Sequence, residues 1–228
     1  MDYREVEKVI GVTFNNKDLL KQAFTHRSYL NENKDSGLEH NERLEFLGDA
    51  VLELVSTHYL FHLYPKKPEG DLTALRSALV NSVILARVST DLNFNTYLLL
   101  SRGESKDTGR ARQYILANTF EAVVGSIYLD QGYDEAKGFI ERVLLPFTKE
   151  IEEKRLWIDA KSLFQEKSQE KMGVTPSYKT LKENGPDHDK VFTVGLYIGT
   201  ALVAEGQGKS KQEAEQDAAR NGLHVKKW

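Results

Sequence analysis

The first two thirds of the chain carry a helical pattern of apolar and polar residues. In several segments apolar side chains recur every three or four positions, which predicts helices with one buried face. Short breaks and one long polar run, Ser101–Arg112, separate these segments, and no alternating stretch is long enough to predict a strand. The clearest helical segments are Asp18–Phe24, Leu44–Leu63, Asp71–Leu92 and Tyr114–Leu129. Residues 1–154 are therefore predicted to form an all-α domain.

A different pattern follows residues 155–158, which are predicted to form a linker. Asp159 is a favourable helix cap, and Gly173 ends the helix that it opens. A capping box at residues 210–213 precedes a second helix. Between the two helices, strands are predicted at Tyr178–Lys182, Lys190–Ile198 and Ala201–Glu205. Residues 159–228 are therefore predicted to form a small α+β domain with the order α-β-β-β-α.

Composition and charge narrow the class of protein. The 228 residues include no cysteine, which excludes disulfides and cysteine-ligated metal sites. The amino terminus lacks the apolar core of a secretion signal, and no apolar run approaches the roughly 18 residues of a membrane span. We therefore expect a soluble cytoplasmic protein. The formal net charge is −3, and residues 159–228 carry 11 Lys and Arg against 10 Asp and Glu, so any phosphate binding must depend on local clusters.

Three carboxylates share one face of the second predicted helix. Glu42, Glu45 and Asp49 lie three, four and seven positions apart, and apolar residues surround them. Carboxylates in such a setting repel one another and lose hydration. A divalent cation offsets both costs, and Mg²⁺ suits a small set of carboxylates because it prefers oxygen ligands and keeps several of its waters.

A simpler interpretation of the same residues is an ordinary surface helix. In that case Glu42 favours the helix amino terminus, and Glu45 pairs with Arg43 or with another basic residue on the surface. The pattern of this helix alone leaves both interpretations open. A second apolar helix strengthens the metal interpretation, because Asn118 and Glu121 lie three positions apart on one of its faces. If the two helices pack face to face, their oxygen atoms converge on one site.

These motifs resemble those of the ribonuclease III family. The run Glu42–Asp49 is similar to the family signature, and residues 159–228 resemble its double-stranded RNA-binding domain. Three further segments match in order and rough spacing, so the resemblance covers essentially the whole chain. These segments are Thr25–Ser28, Pro68–Asp71 and Ile115–Gly125. The resemblance disfavours the surface-helix interpretation.

The resemblance also implies a role for each acidic residue. Glu45 and Glu121 correspond to direct metal ligands, and Asp49 corresponds to a residue that holds or activates the attacking water. Glu42 and Glu69 match auxiliary acidic positions. The family hydrolyses double-stranded RNA with Mg²⁺, for which Mn²⁺ can substitute, and leaves 5′-phosphate and 3′-hydroxyl ends. It acts in the processing of ribosomal and messenger RNA, as a homodimer formed through the signature helix.

Asn118 departs from the family pattern, which usually has an aspartate ligand at this position. Its carbonyl oxygen can still bind a metal ion, but it adds no negative charge. Three outcomes stay open: a working variant, a variant with reduced or altered metal use, and an inactive enzyme. The last makes a non-catalytic double-stranded RNA-binding protein the alternative function. A structural subunit of an RNA–protein assembly is a further alternative, although such a protein has no physical need for clustered carboxylates.

Five residues of the predicted α+β domain are candidates for RNA contact. Gln165 and Glu166, on its first helix, are placed to reach sugar hydroxyls in a minor groove. His188 lies in the loop between its first two strands. Lys209 and Lys211 flank the amino terminus of its last helix, where backbone N–H groups favour phosphate. An ordinary solvated helix end is the alternative for the lysines, but the complete α-β-β-β-α order favours RNA binding.

His58 and His62 form one more candidate metal pair, because they lie one helical turn apart. The sequence offers no third ligand close to them. Packing or simple surface exposure is therefore the favoured interpretation, and both residues are left out of the predicted site.

Overall fold

The computed structural model describes residues 3–186 and 190–228. The chain divides into two compact units, and the division falls between Trp157 and Ile158. The amino-terminal unit is helical and the carboxy-terminal unit combines helices with a sheet, so the predicted fold class is confirmed.

The amino-terminal unit is built around two long helices, α4 and α7, which make its most extensive contact. Each has 22 residues. Their buried apolar residues lie in one continuous core that also includes residues of the shorter helices. Within the described residues, the helices of this unit are α1 (Tyr3–Ile10), α2 (Lys17–Ala23), α3 (Arg27–Glu32), α4 (Glu42–Leu63), α5 (Glu69–Leu79), α6 (Ser82–Asp91), α7 (Arg110–Gln131), α8 (Tyr133–Val143) and α9 (Phe147–Glu153).

Two glycines let α4 and α7 cross with their backbones in contact. A Cβ atom built at Gly48 of α4 would lie 1.8 Å from the backbone oxygen of Glu121. One built at Gly125 of α7 would lie 2.2 Å from the backbone oxygen of Leu44. No side chain fits at either position, so the two glycines set how closely the polar residues of α4 approach those of α7.

The prediction of a single helix at Asp71–Leu92 is wrong. The structure has two helices there, α5 and α6, with a bend of 43° between them at a short break. Asn81 lies in the break, and its side chain accepts hydrogen bonds from the backbone N–H groups of Val83 and Ile84. Such an asparagine satisfies the free N–H groups of a new helix start, which outweighs the continuous apolar pattern.

A smaller difference concerns the polar run Ser101–Arg112. Helix α7 begins at Arg110, inside the run that was predicted as a break, so the helix extends beyond its apolar pattern.

No single helix among the described residues is long and apolar enough to span a membrane, and only the bent pair of α5 and α6 meets the length and composition criteria together.

The last residues of the amino-terminal unit are packed against its core. The Trp157 side chain contacts this core, and the ammonium group of Lys67 lies between two rings, 4.9 Å from the Tyr64 centroid and 5.1 Å from the Trp157 centroid. The Tyr64 hydroxyl donates a hydrogen bond of 2.6 Å to Glu152. Within the segment predicted as a linker, Trp157 therefore packs on this unit.

In the carboxy-terminal unit, a three-stranded antiparallel sheet of order β1-β2-β3 packs against two helices. Asp159 caps the first helix by accepting from the N–H groups of Lys161 and Ser162, and Gly173 ends it with φ +67, as the sequence predicts. Phe164 and Leu196 are fully buried in the core between helices and sheet. The elements are α10 (Ala160–Met172), β1 (Ser177–Asn184), β2 (Val191–Ile198), β3 (Ala201–Gly208) and α11 (Lys211–Lys226).

Candidate active site and nucleic-acid interface

Three carboxylates of the amino-terminal unit meet where α4 crosses α7. Glu45 and Asp49 lie one turn apart on α4, and Glu121 faces them from α7, next to the contact made by Gly48. Glu121 is half-buried. Burial, followed by the charges of Asp49 and Glu45, raises its pKa to about 8.

The two carboxylates of α4 are perturbed in the same direction. Burial is the largest cause that raises the pKa of Glu45, and the charges of Glu42 and Asp49 add to it. The Asn118 side chain faces Glu45 and acts in the opposite direction, because its amide hydrogens favour the ionised carboxylate. Partial burial and the charge of Glu53 raise the pKa of Asp49. The protein therefore holds several carboxylates together although burial and nearby negative charges disfavour their ionised forms, and such perturbed pKa values are a feature of functional sites.

The donor atoms of this cluster suit a hard divalent cation. Asn118 and the three carboxylates offer only oxygen ligands, and a cation would offset both the burial that is the largest cause of the three raised pKa values and the negative charges that add to it. Among residues 3–186 and 190–228, no group of three His, Cys, Asp or Glu side chains is already arranged as a metal cage. Mg²⁺ does not require such a cage, because it keeps several water ligands.

Glu42 lies at the start of α4, one turn before Glu45, and is ion-paired. Its carboxylate lies 3.6 Å from the Arg27 guanidinium and 3.7 Å from Nδ1 of His40. The charge of Glu42 still contributes to the raised pKa of Glu45, so it borders the cluster electrostatically. The pairing of Glu42 fits an auxiliary position better than a ligand position.

Glu69 lies apart from the cluster. It is the first residue of α5, and its carboxylate accepts a hydrogen bond of 2.9 Å from the hydroxyl of Thr73. It lines a 470 Å³ pocket together with Thr57 and Phe61, which lie in the second half of α4. Within the described residues of one chain, the structure does not join Glu69 to Glu45.

Sequence reasoning missed the two glycines that position the site. Gly48 and Gly125 bring α4 and α7 into backbone contact, which places Glu45 opposite Asn118 and Glu121. A glycine inside a helix costs about 1 kcal/mol relative to alanine. Two glycines at that cost in the two longest helices were the signal for a close helix crossing.

Those candidate RNA-binding residues that the structure describes lie on the surface of the carboxy-terminal unit. Gln165 and Glu166 are exposed on α10. Lys211 is the first residue of α11; its ammonium lies 3.1 Å from the carboxylate of Glu183 and 5.6 Å from the centroid of Phe192. A bound phosphate would therefore compete with Glu183 for Lys211.

The segment before α11 is fixed by the predicted capping interactions, with one shift. The Ser210 hydroxyl accepts from the N–H of Glu213 at 3.1 Å. The Glu213 carboxylate accepts from the backbone N–H of Lys209 at 2.9 Å, one residue earlier than a capping box expects. This arrangement holds the backbone of Lys209 and Lys211 at the helix start. His188 lies outside the described residues.

Comparisons with known proteins agree with this division of the chain. Residues 16–147 match the family model "Ribonuclease-III-like", and residues 160–226 match "Double-stranded RNA binding motif". Proteins named Ribonuclease 3 share the whole arrangement. The relative from Pelotomaculum thermopropionicum is 46% identical over 94% of this chain and 89% of its own. The one from Carboxydothermus hydrogenoformans is 46% identical over 97% of this chain and 94% of its own.

A solved structure supports the assignment of the amino-terminal unit. The nuclease domain of ribonuclease III from Campylobacter jejuni matches 64% of this chain and 99% of its own length, with 40% identity and a TM-score of 0.58. That domain is described as structurally flexible in a region involved in its dimer formation. Taken together with the two family models and the full-length relatives, this match shows that the chain belongs to the ribonuclease III family of double-strand-specific endoribonucleases.

Proposed function

We propose that this endoribonuclease hydrolyses the phosphodiester bonds of double-stranded RNA with Mg²⁺ at the crossing of α4 and α7, leaving 5′-phosphate and 3′-hydroxyl ends. The observation that carries the proposal is the set of three carboxylates with raised pKa values at one buried crossing. An enzyme that must bind a cation gains from such a set, whereas a purely structural helix pair has no use for its repulsion.

Each residue of the cluster has a distinct proposed role. Glu45 and Glu121 hold the cation from opposite helices, and Asn118 adds its carbonyl oxygen. When bound, the cation lowers the pKa of a water molecule and stabilises the charge that develops on the phosphate. Asp49, the most exposed of the three carboxylates, orients the attacking water. Glu42 is proposed as an auxiliary acidic residue that adjusts the charge beside Glu45. Glu69 is proposed as a second auxiliary acidic residue, although within one chain it lies apart from the cluster.

Asn118 decides how strongly this site works. Its amide lies beside Glu45, and it supplies an oxygen ligand without a charge. We propose that the enzyme works with a weaker hold on Mg²⁺ and that Mn²⁺ can substitute. The alternative is a double-stranded RNA-binding protein with little or no hydrolysis.

A homodimer formed through α4 is proposed because this helix exposes a row of large apolar side chains. Phe46 is 81% exposed, Leu54 57% and Phe61 64%, and the spacing places all three on one side of the helix. An exposed apolar row of this kind marks a surface for association. Sedimentation velocity tests it: Phe46→Asp would shift the protein to a monomer, whereas an unchanged sedimentation coefficient would contradict pairing through this face.

The proposed division of labour assigns residues 1–154 to catalysis, 155–158 to a linker and 159–228 to RNA binding through Gln165, Glu166, His188, Lys209 and Lys211. Processing of ribosomal and messenger RNA in the cytoplasm is proposed as the cellular role. Family membership supports this role, and no residue of the chain selects a particular transcript.

The experiment that tests the proposed function is a time course of cleavage of a long RNA duplex in excess Mg²⁺. We expect cutting to short duplexes, no cutting with EDTA, and no cutting of duplex DNA. Glu121→Gln should lower the cleavage rate by more than roughly 10- to 100-fold, which is the cost of removing a residue that only supports a metal ligand. Glu141→Gln, an exposed change on α8, is the matched control.

The outcomes separate the two functions. Intact duplex binding without cleavage by the unaltered protein would identify the non-catalytic RNA-binding protein. Cleavage that Glu121→Gln leaves unchanged would place the active site elsewhere.

A further inference from the structure

A pair of histidines stands outside the proposed catalytic cluster, at the other end of α4. His58 and His62 are both exposed, which excludes the core-packing interpretation. Their ring centroids lie 4.6 Å apart with the rings at 64°. Neither ring makes a hydrogen bond or an ion pair with the described residues, so the ring nitrogens are available to a ligand.

The chemistry of the pair selects a particular class of ion. A neutral imidazole nitrogen binds zinc, nickel and copper, whereas Mg²⁺ prefers oxygen. Two imidazoles one helical turn apart on one face of a helix are close enough to share one small ion, with water in the remaining coordination positions. α4 ends at Leu63, so His62 lies in its last turn, where the helix dipole favours a cation, and His58 lies one turn earlier.

We propose that His58 and His62 form a binding site for a late transition-metal dication of the zinc and nickel type. The site is separate from the proposed catalytic cluster, because nine residues from Asp49 to His58 correspond to about 13 Å along a helix. Its donors differ as well, since it has nitrogen ligands where the cluster has oxygen ligands. The histidine site therefore stands whether or not the carboxylate cluster hydrolyses RNA.

The site borders the apolar row of α4. The ring of Phe61 lies 5.4 Å from the ring of His62, edge to face. An ion held by the two histidines would therefore fix the side chains at the end of this row. The occupant is identified by its chemistry alone, and Zn²⁺ is the probe to use.

The test is a Zn²⁺ titration of the full-length protein in saturating Mg²⁺, which keeps the carboxylate cluster occupied. Imidazole resonances in NMR spectra report on each histidine, and calorimetry gives the affinity and stoichiometry. We expect one Zn²⁺ per chain with selective shifts of the His58 and His62 signals. His58→Gln and His62→Gln should each weaken binding by more than about tenfold, since each removes a ligand outright. His224→Gln, an exposed single histidine on α11, is the matched control and should leave binding unchanged.

Two results would overturn the proposal. One is that the NMR signals of His58 and His62 do not respond to Zn²⁺, which would mean that the two rings contact each other but bind no ion. The other is Zn²⁺ affinity that survives in the His58→Gln, His62→Gln double variant, which would assign the ion to another part of the chain. Both histidines are exposed, so circular dichroism spectra of the variants should match that of the unaltered protein and exclude misfolding.

Discussion

The crossing of α4 and α7 and the start of α11 perform their proposed tasks by opposite means. At the crossing, backbone contact at Gly48 holds Glu121 where burial, followed by the charges of Asp49 and Glu45, raises its pKa. At the start of α11, Lys211 stands at the surface with a carboxylate partner that a phosphate can replace. A catalytic cluster needs side chains held in fixed positions, even when burying their charges costs stability. A phosphate contact needs only an exposed, positively charged side chain. The two regions should therefore differ sharply in their tolerance of substitution.

Gly48→Ala should have the largest effect, because the new Cβ would lie 1.8 Å from the backbone oxygen of Glu121. We expect a loss of more than about 4 kcal/mol in the free energy of unfolding, or failure to fold. Gly70→Ala on α5 is the control, since its Cβ meets no atom within 4 Å and the change should stabilise by up to about 1 kcal/mol. Urea unfolding measures both. Equal midpoints would mean that the helices can move apart without cost.

Glu121 should make the metal-free protein less stable as the pH rises. Its pKa is raised from 4.5 to about 8 in the folded state, so the folded protein binds more protons than the unfolded chain between these values. The free energy of unfolding should fall through this range and level off above it. Mg²⁺ should remove much of the fall.

Glu121→Gln is the variant that isolates this effect in denaturation curves recorded across the pH range. It should flatten the pH dependence, whereas Glu141→Gln on the surface should preserve it. A dependence that persists in Glu121→Gln would assign the effect to Glu45 and Asp49, whose pKa values are raised as well.

Asn118→Asp sharpens the comparison by adding the missing charge to the cluster. We expect cleavage at limiting Mg²⁺ to rise by roughly tenfold and the difference to shrink at saturating Mg²⁺. Asn118→Ala, which removes the oxygen ligand, should lower the cleavage rate. Cleavage rates measured across a Mg²⁺ titration decide the matter, and identical curves for Asn118→Asp and the unaltered enzyme would rule out a role for charge at this position.

Lys211→Ala should have the smallest effect. Duplex binding should weaken, and the slope of log affinity against log salt should decrease by about one phosphate contact. Lys226→Ala, at the opposite end of α11, is the control and should leave the slope unchanged. Fluorescence anisotropy at several salt concentrations measures the slope. If Lys211→Ala keeps the original slope, Glu183 rather than phosphate is the partner of this lysine in the complex.

Local patterns in the sequence determined the helices, the three strands and the caps at Asp159 and Ser210, because helix periodicity, strand alternation and capping depend on nearby residues. They failed at Asn81, where a cap interrupts an unbroken apolar pattern. The family resemblance named Glu45, Asp49 and Glu121, and the comparisons confirm the family but leave these roles as proposals.

Tertiary structure alone decided which residues meet. The contact of Gly48 with Glu121 joins segments that are more than 70 positions apart, and only the folded backbone shows that no side chain fits between them. Burial at that crossing raises the pKa of Glu121, which the sequence cannot give because desolvation depends on the surrounding atoms. Exposure likewise separated His58 and His62 from the core. Helices, strands and caps depend on residues that are close in sequence, so the sequence determines them. Contacts between distant residues and the burial of their side chains arise only when the chain is folded.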